Sequence, residues 1–449
     1  MDKPNIIFVF GDQWRLQATG YSGNSQVITP NIDALENESI NFTRAVAGCP
    51  VCSPYRASFL TGLHPLTHGV FVNDVPLDPS TVSIADVLKQ EGYDTAYIGK
   101  WHVNGYNRTG YIPPERRMGF DYWKVLECTH DYNHSAYYDN DSKELSYWEG
   151  YDASAQTDDA VSYIRNHDQQ HPFFLVLSWG PPHSPYQTAP EKFRALYDPA
   201  SIELRGNVPE ESREQVREQI AGYYAHCSAL DSYTDLLMKT LKETGLEDDT
   251  IFIFTSDHGD MLGSQGERKK QRPWDESIRV PFLFRWPGMK NWEPRKTDAV
   301  IDAPDIMPTL LGLCGIDIPE TVEGIDFSDH IQGGDEPGDG SAVIMCPHPF
   351  GEWTREQSGG REYRGLRTKR YTYVRTLEGP WLLYDNEKDP LQMNNVLDNG
   401  EYSDVRADLD RLLWEKLKER GDDFLPGMEY IWKWNYPVDE SETVPFNFK

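Results

Sequence analysis

The chain has 449 residues, of which 38% are hydrophobic, and this is enough to bury the core of one large domain and a smaller one. Its 72 acidic residues outnumber 43 basic residues, and this excess disfavours nucleic acid and anionic membranes as partners. Six scattered cysteines do not indicate a disulfide framework, and no apolar run approaches the ~20 residues of a membrane span.

No export signal is visible after Met1. We therefore expect a soluble protein that is either cytoplasmic or the mature form of a periplasmic or secreted protein. The sequence predicts neither the compartment more closely nor the oligomeric state.

The first two thirds of the chain alternate strand-like and helical patterns. Residues 5–10 form an apolar run rich in β-branched and aromatic residues, which predicts a strand buried on both faces. Such alternation is typical of a mainly parallel sheet packed between helices, an α/β fold. Further strands are predicted at 94–98, 173–178, 250–256 and 280–285, and helices at 81–91, 154–167, 212–244 and 304–314.

The composition changes at residues 332–340, a stretch rich in glycine and acidic residues that we interpret as a linker. We therefore predict a large domain over 1–340 and a small C-terminal α+β subdomain over 341–449. The smaller unit is predicted to contain an antiparallel sheet and a closing amphipathic helix. Its strands are predicted at 341–346, 363–375 and 381–384, and its helix at 405–420.

Polar side chains follow four of the predicted strands, at the sheet edge where α/β proteins bind ligands. Each residue alone is commonly a helix cap, a structural histidine or a surface charge, but their coincidence at one edge favours a functional site. Two of them are aspartates, whose hard oxygens suit Ca²⁺ or Mg²⁺, and Gln13 can add a neutral carbonyl oxygen. The strand-end residues are Asp12, Lys100, His102, His183, Asp257 and His258.

Residues 48–62 place a reactive side chain beside an anion-binding helix end. Ser53 is a predicted helix cap, and Pro54 suits the first helical position. Cys52 then lies at the amino end, where free N–H groups lower the pKa of a thiol, and Arg56 adds a positive charge about one turn away.

The same stretch has plainer interpretations. Cys49 and Cys52 are spaced like a redox pair or half of a zinc site, and either thiol can simply be buried. The other four cysteines are widely scattered, which disfavours structural zinc. A thiolate is also a poor ligand for a hard cation, so Cys52 suits this site only if it is converted to an oxygen nucleophile.

Residues 52–56, Cys-Ser-Pro-Tyr-Arg, resemble the Cys-x-Pro-x-Arg signature of the formylglycine-dependent sulfatases of the alkaline phosphatase-like superfamily. This resemblance implies an alkaline-phosphatase-like α/β/α sandwich with a small C-terminal subdomain, and the activity of a sulfuric ester hydrolase. Further stretches resemble sulfatase landmarks in family order, namely 5–12, 58–62, 99–102, 181–183, 256–259 and 270–277.

The resemblance implies that Cys52 is oxidised to formylglycine by a formylglycine-generating or radical maturase enzyme. The hydrate of formylglycine would supply the attacking hydroxyl. Arg56 and Lys100 would hold the modified side chain and its charge, and His102 would take a proton from the second hydroxyl to expel sulfate.

The resemblance also implies one divalent metal, Ca²⁺ first and Mg²⁺ or Mn²⁺ as alternatives. His183 and Lys270 would contact the sulfate and the leaving oxygen. The implied metal ligands are Asp12, Gln13, Cys52 in its modified form, Asp257 and His258.

Two positions depart from the commonest family pattern. Gln13 stands where a second aspartate often occurs, and His258 where asparagine is common. Relatives that cleave phosphonate monoesters and phosphodiesters show a similar arrangement, so that activity is the first alternative, beside that of an arylsulfatase. A non-catalytic relative that binds sulfated glycans is disfavoured because the implied catalytic residues are intact.

A sulfated carbohydrate is the expected substrate. The stretch 127–138 is dense in hydrogen-bonding and aromatic groups, as sugar recognition requires, although an ordinary packed polar loop has the same composition. Predicted substrate contacts are His130, Tyr132 and His134 from this stretch, and Trp353 and Arg355 from the smaller domain.

Overall fold

Fourteen strands form two sheets in a computed structural model that describes residues 3–105, 107–353 and 359–446. The strands are β1 Asn5–Asp12, β2 Ile40–Phe42, β3 Asp94–Lys100, β4 Tyr122–Leu126, β5 Ala136–Asp139, β6 Leu145–Tyr147, β7 Phe173–Pro182, β8 Thr250–Ser256, β9 Phe282–Arg285, β10 Arg295–Thr297, β11 Ser341–Cys346, β12 Tyr363–Thr368, β13 Tyr371–Thr376 and β14 Gly379–Asp385. The helices are α1 Pro30–Asn37, α2 Cys52–Thr61, α3 Pro65–His68, α4 Ile84–Gln90, α5 Asp152–Asn166, α6 Glu191–Arg194, α7 Arg213–Thr244, α8 Asp275–Ile278, α9 Ile306–Leu313, α10 Ser328–Ile331, α11 Ser403–Glu419 and α12 Gly427–Lys433.

The larger sheet has ten strands in the order β10-β2-β9-β8-β1-β7-β3-β4-β5-β6. Strands β8, β1, β7, β3 and β4 are parallel, whereas β9, β5 and the edge strand β6 join by antiparallel pairing. Every residue of β1, β7 and β8 is buried, which explains their unbroken apolar sequences. The prediction of a mainly parallel central sheet is confirmed.

Hydrophobic layers cover both faces of this sheet. Alternate residues of β1 face opposite sides: Phe8 belongs to a core formed with α2, α4 and α9, and Val9 to a core formed with α1, α5 and α7. Helix α7 is 32 residues long and buries one face against α5 and the sheet. The α/β/α sandwich is therefore built as expected, with the carboxyl ends of β1, β7, β3 and β8 on one edge.

One glycine permits the close approach of two central strands. Gly99 in β3 has φ 106°, and a Cβ built there would lie 2.1 Å from the carbonyl oxygen of Ser178 in β7. Any side chain would push the strands apart at this point. Gly99 thus sets the position of Lys100, the next residue.

The smaller sheet is antiparallel, in the order β11-β12-β13-β14. One face packs on α11, and the other packs against residues of the larger unit. Buried Arg367 fixes this docking, because its Nε and Nη2 donate to Asp275 at 2.8 and 2.9 Å. After α11 the chain returns to the larger core, where Tyr430, Ile431 and Val444 are buried.

Several element boundaries differ from the predictions. The run 363–375 is two strands, β12 and β13, joined by a tight turn, and the strand predicted at 280–285 begins at Phe282. The helix predicted at 304–314 begins as a 3₁₀ turn, Ala303–Asp305, before α9. Among the described residues, no helix combines the length and the apolar content that crossing a membrane requires.

Candidate active site

Cys52 is the first residue of α2, but the cap differs from the prediction. Val51 is the N-cap, and Pro54 occupies the third helical position. Because the side chain of valine cannot accept a hydrogen bond, Asn73 Oδ1 from a neighbouring loop accepts one from the Ser53 amide at 3.0 Å. A distant residue therefore replaces the expected Ser53 cap.

The two cysteines of the Cys49-x-x-Cys52 stretch have different environments. Cys49 belongs to the core of the smaller subdomain, and burial raises its pKa well above the ordinary value. Burial also opposes ionisation of Cys52, but the positive charges of Lys100, Lys270 and His258 hold its pKa well below the ordinary value. Cys49 is a packing residue, and Cys52 lies in an anion pocket.

Three buried side chains converge on Cys52 at the ends of β1 and β8. The ligand atoms of Asp12, Cys52, Asp257 and His258 all lie within 4.8 Å of one another. His258 Nε2 is 3.6 Å from Oδ1 of Asp12 and from Oδ1 of Asp257, and 3.3 Å from Cys52 Sγ. Because β1 and β8 are hydrogen-bonded neighbours, their final residues meet at this edge.

The remaining carboxylate oxygens are bound by fixed cations. Arg56 Nη2 donates to Asp257 Oδ2 at 3.0 Å and to Asp12 Oδ2 at 3.4 Å, and Lys100 Nζ pairs with Asp12 Oδ2. Burial opposes ionisation of Asp12, but Lys100 and other nearby positive charges lower its pKa. Each aspartate therefore turns Oδ2 to a cation and Oδ1 towards His258.

Arg56 does not take the role predicted for it. Its Nη1 donates to Ser178 Oγ at 2.6 Å and to the Lys100 carbonyl at 2.8 Å, while Nε donates to Asp257 at 3.2 Å. All three nitrogens are thus engaged by groups other than residue 52. Arg56 orients the two carboxylates instead of holding the side chain of residue 52.

His258 and Gln13 each present an acceptor that suits a cation. His258 Nδ1 lies 2.9 Å from the Gly259 carbonyl, so Nδ1 carries a hydrogen, and Nε2 offers its lone pair when the ring is neutral. Gln13 Nε2 donates to Asp260 at 2.7 Å, while Gln13 Oε1 is buried and has no hydrogen-bond partner among the described residues. Two carboxylate oxygens, one imidazole nitrogen and one orphaned amide oxygen fit a single divalent cation.

His102 and Lys270 flank the sulfur of Cys52. Lys270 Nζ is 2.9 Å from Sγ, and hydrogen bonding to His102 helps to lower the pKa of the thiol. His102 Nε2 is 3.4 Å from Asp74 Oδ1. Burial lowers the pKa of His102, but the charge of Cys128 and the hydrogen bond to Asp74 raise it to about 9.

His183 follows the long strand β7 and is buried. Its Nδ1 lies 2.8 Å from the Ser184 carbonyl, which leaves Nε2 as the nitrogen available to a ligand. The His130 ring stacks on His183 with a centroid separation of 4.4 Å. Burial and the nearby charges of Lys270 and His130 hold the pKa of His183 well below its ordinary value.

The predicted substrate residues have different positions in the structure. Tyr132 is fully buried and its hydroxyl donates to the Gly180 and Ser184 carbonyls, so its predicted direct contact with substrate is wrong. His134 is exposed and stacks on Tyr147. Trp353 is buried beside Lys269 and Arg272, and Arg355 lies outside the described residues.

Several site residues were not predicted because no local pattern marks them. Asn73 and Asp74 lie in the loop between α3 and α4, and their partners are 20 to 34 residues away. Ser178 is an ordinary residue of a buried strand until Arg56 is placed beside it. Asp260 is the exception, since it directly follows the Asp-His-Gly stretch at the end of β8.

Fold and site together define a hydrolase of anionic esters. The Sulfatase family model matches residues 4–316, and the model described as N-sulphoglucosamine sulphohydrolase, C-terminal, matches residues 263–419. The chain belongs to the sulfatase family, and it is a sulfuric ester hydrolase.

Two similar proteins are sulfatases, and a third has a similar fold. An ulvan-active sulfatase from Formosa agariphila is 46% identical, over 99% of this chain and 87% of the relative. An endo-4-O-sulfatase from Bacteroides thetaiotaomicron is 33% identical, over 94% and 93%. The crystal structure of a phosphonate monoester hydrolase from Agrobacterium radiobacter has a TM-score of 0.75 and 25% identity, covering 94% of this chain and 96% of that one.

A divalent cation should stabilise the folded protein through the carboxylate cluster. At a hundred times its dissociation constant, Ca²⁺ should add about 2.7 kcal/mol, measured as a rise in the midpoint of thermal unfolding. Asp257→Asn should lose most of this rise. Asp231→Asn should keep it, because the Asp231 carboxylate is bound by Asn31 and Ile32 away from the cluster.

An equal Ca²⁺-dependent rise in Asp257→Asn would contradict the site. Elemental analysis provides an independent check, with one divalent ion per chain expected. Two zinc ions per chain would instead indicate a two-metal phosphatase mechanism.

Proposed function

We propose that this chain hydrolyses a sulfate ester of a carbohydrate, with residue 52 as the nucleophile after its conversion to formylglycine. One observation carries the proposal: Cys52 begins α2 inside a ring of cations and also borders a cluster of hard oxygen ligands. A hard cation held by such ligands binds a thiolate poorly, whereas it binds an oxygen nucleophile well. The names of the relatives, ulvan-active sulfatase and endo-4-O-sulfatase, support a sulfated carbohydrate as the substrate class.

The metal ion and the formylglycine hydrate each have a defined place at this site. Asp12, Gln13, Asp257 and His258 would hold Ca²⁺, with residue 52 as a further ligand. When bound, the cation supplies Lewis acidity beside the sulfate, and the formylglycine hydrate supplies a hydroxyl in place of the thiol. A maturase enzyme acting on Cys52 is therefore a required partner.

The chain's own residues then have separable roles at residue 52. Arg56 and Lys100 orient Asp12 and Asp257 by pairing with one oxygen of each carboxylate. His102 lies beside residue 52, and Asp74 at its Nε2 orients the imidazole. Because the pKa of His102 is raised to about 9, the ring is mostly protonated near neutral pH, and the neutral fraction that can act as the base for sulfate departure grows as the pH rises towards that value.

Lys270 and His183 act at the other end of the ester. Lys270 Nζ places a positive charge 2.9 Å from the nucleophile position, where sulfuryl oxygens gather negative charge. His183 binds the Ser184 carbonyl through Nδ1, so Nε2 is the atom that carries a proton to the leaving oxygen. Bound sulfate favours this protonation because its negative charge offsets the nearby Lys270.

Hydrolysis of phosphonate monoesters is the second candidate. The phosphonate monoester hydrolase shares the fold, and Gln13 replaces an anionic ligand with a neutral one. A phosphonate monoester and a sulfate monoester each carry one negative charge, so the same cation can bind either ester. The carbohydrate sulfatases cover the chain at higher identity, so a sulfated sugar is the first choice.

A substrate panel distinguishes the two candidates. The value of kcat/KM should be highest for a sulfated oligosaccharide when sulfated sugars, aryl sulfates, phosphonate monoesters and phosphodiesters are compared. The enzyme must first be shown to contain formylglycine and metal. A phosphonate monoester or phosphodiester with the highest kcat/KM would support the second candidate instead.

Substitution of His183 should affect esters according to their leaving groups. His183→Ala should lower kcat/KM for a sulfated sugar by about 10² to 10⁴, because a sugar alkoxide needs a proton as it leaves. A 4-nitrophenyl sulfate needs none and should lose much less. Lys270→Ala should also lower kcat/KM more for the sulfated sugar than for 4-nitrophenyl sulfate, but the difference should be smaller than in His183→Ala.

His330→Ala is the matched control for this comparison. His330 bonds to Thr297 beside the edge strand β10, so its loss should leave the ratio of the two substrates unchanged. Equal losses on both substrates in His183→Ala would rule out proton donation and leave a binding role only.

A further inference from the structure

Arg108 lies near residue 52, and no step of the proposed reaction uses it. Its Nε and Nη2 donate to the two oxygens of Asp74 at 2.8 and 2.6 Å. Asp74 also contacts His102, and the adjacent Asn73 lies 4.0 Å from Cys52 Sγ. Two side chains, Asp74 and His102, therefore connect Arg108 to the nucleophile position.

The guanidinium of Arg108 is held in place, but only some of its N–H groups donate hydrogen bonds to the described residues. Asp74 is buried and occupies the Nε–Nη2 edge, and the Phe446 ring lies 4.5 Å from the guanidinium carbon. The side chain of Arg108 is still 26% exposed, in contrast to Arg56, which is 1% exposed. The Nη1–Nη2 edge, which has no partner among the described residues, can still make a two-pronged contact with an oxyanion.

The local charge also favours an anion at this position. Asp74 is shared by two basic side chains, Arg108 and His102. Arg108 therefore does not have this carboxylate to itself, in a chain whose formal net charge is −29. Positive charge concentrated at one rim of the site attracts an anionic group that the remaining surface repels.

We propose that Arg108 selects substrates that carry a second oxyanion, a carboxylate or another sulfate, on or next to the sugar ring whose sulfate ester is cleaved. This proposal rests on the carbohydrate sulfatase function proposed above and names the substrate class more closely. Arg108 binds that group through its free edge, while Asp74 and Phe446 hold the guanidinium in place. The C-terminal segment that carries Phe446 thereby supports substrate selection.

Three matched sulfated disaccharides test the proposal. They differ only on the neighbouring ring, which carries a carboxylate, the corresponding reduced alcohol, or a second sulfate. For Arg108→Ala, the loss in kcat/KM should be roughly tenfold to a hundredfold greater on the two oxyanion substrates than on the reduced one and on 4-nitrophenyl sulfate. The change should be mainly in KM, and the carboxylate and second-sulfate substrates together identify which oxyanion is preferred.

Companion variants separate binding from structural support. Arg108→Lys should lose part of the selectivity, because lysine keeps the positive charge but lacks the paired N–H groups that bind an oxyanion at two points. Arg375 in the smaller subdomain is the matched control, because it also pairs with an aspartate, Asp410, and lies over an aromatic ring, that of Trp414. Arg375→Ala should therefore keep the wild-type selectivity. Thermal unfolding of each variant shows whether it is folded.

Two results would overturn the proposal. Equal losses of Arg108→Ala on all four substrates, with a shifted pH profile, would show that Arg108 acts only through Asp74 on His102. A wild-type enzyme with no preference for either oxyanion disaccharide over the reduced one would also reject it. Failure of the sulfatase function gives a different result, in which the wild type hydrolyses none of the disaccharides.

Discussion

In each of two buried aspartates, one carboxylate oxygen pairs with a basic side chain and the other faces the cation position, and the rest of the site depends on this arrangement. Asp12 and Asp257 are completely buried and close to each other, so their charges repel strongly unless they are compensated. Arg56 and Lys100 neutralise one oxygen of each. The other oxygen of each is left for a cation, and the position of His258 Nε2 follows from the same arrangement.

This constraint explains why the site is assembled from distant parts of the chain. Neighbouring strands β1 and β8 supply the carboxylates, α2 supplies Arg56 one turn after the nucleophile position, and β3 supplies Lys100. Gly99 permits β3 to approach β7 closely enough to place that lysine. The sandwich is a scaffold whose packing sets the spacing of the site charges, and loops such as the one carrying Asn73 and Asp74 complete it.

Much of the fold and of the central site could be predicted from sequence because strong local signals coincide there. Continuous apolar runs marked β1, β7 and β8, and Gly62 ends α2 in a left-handed conformation, with φ 67°. The strands β2, β4, β5, β6 and β10 were not predicted, because three to five residues show no measurable periodicity. The turn between β12 and β13 was not recognised, because Lys369-Arg370 lacks the glycine or asparagine that usually marks a hairpin. The Val51 cap and the contacts of Arg56, Tyr132 and Arg108 depend on tertiary structure.

The chemical state of residue 52 is the central claim, since every other role assumes an oxygen nucleophile there. The most direct measurement is mass spectrometry of the peptide that contains residue 52, made on preparations with different degrees of maturation and paired with kcat on a sulfated sugar. The account predicts that kcat rises in proportion to the fraction of formylglycine and that Cys52→Ala is inactive at every level of maturation. An active preparation in which residue 52 is entirely cysteine would contradict it.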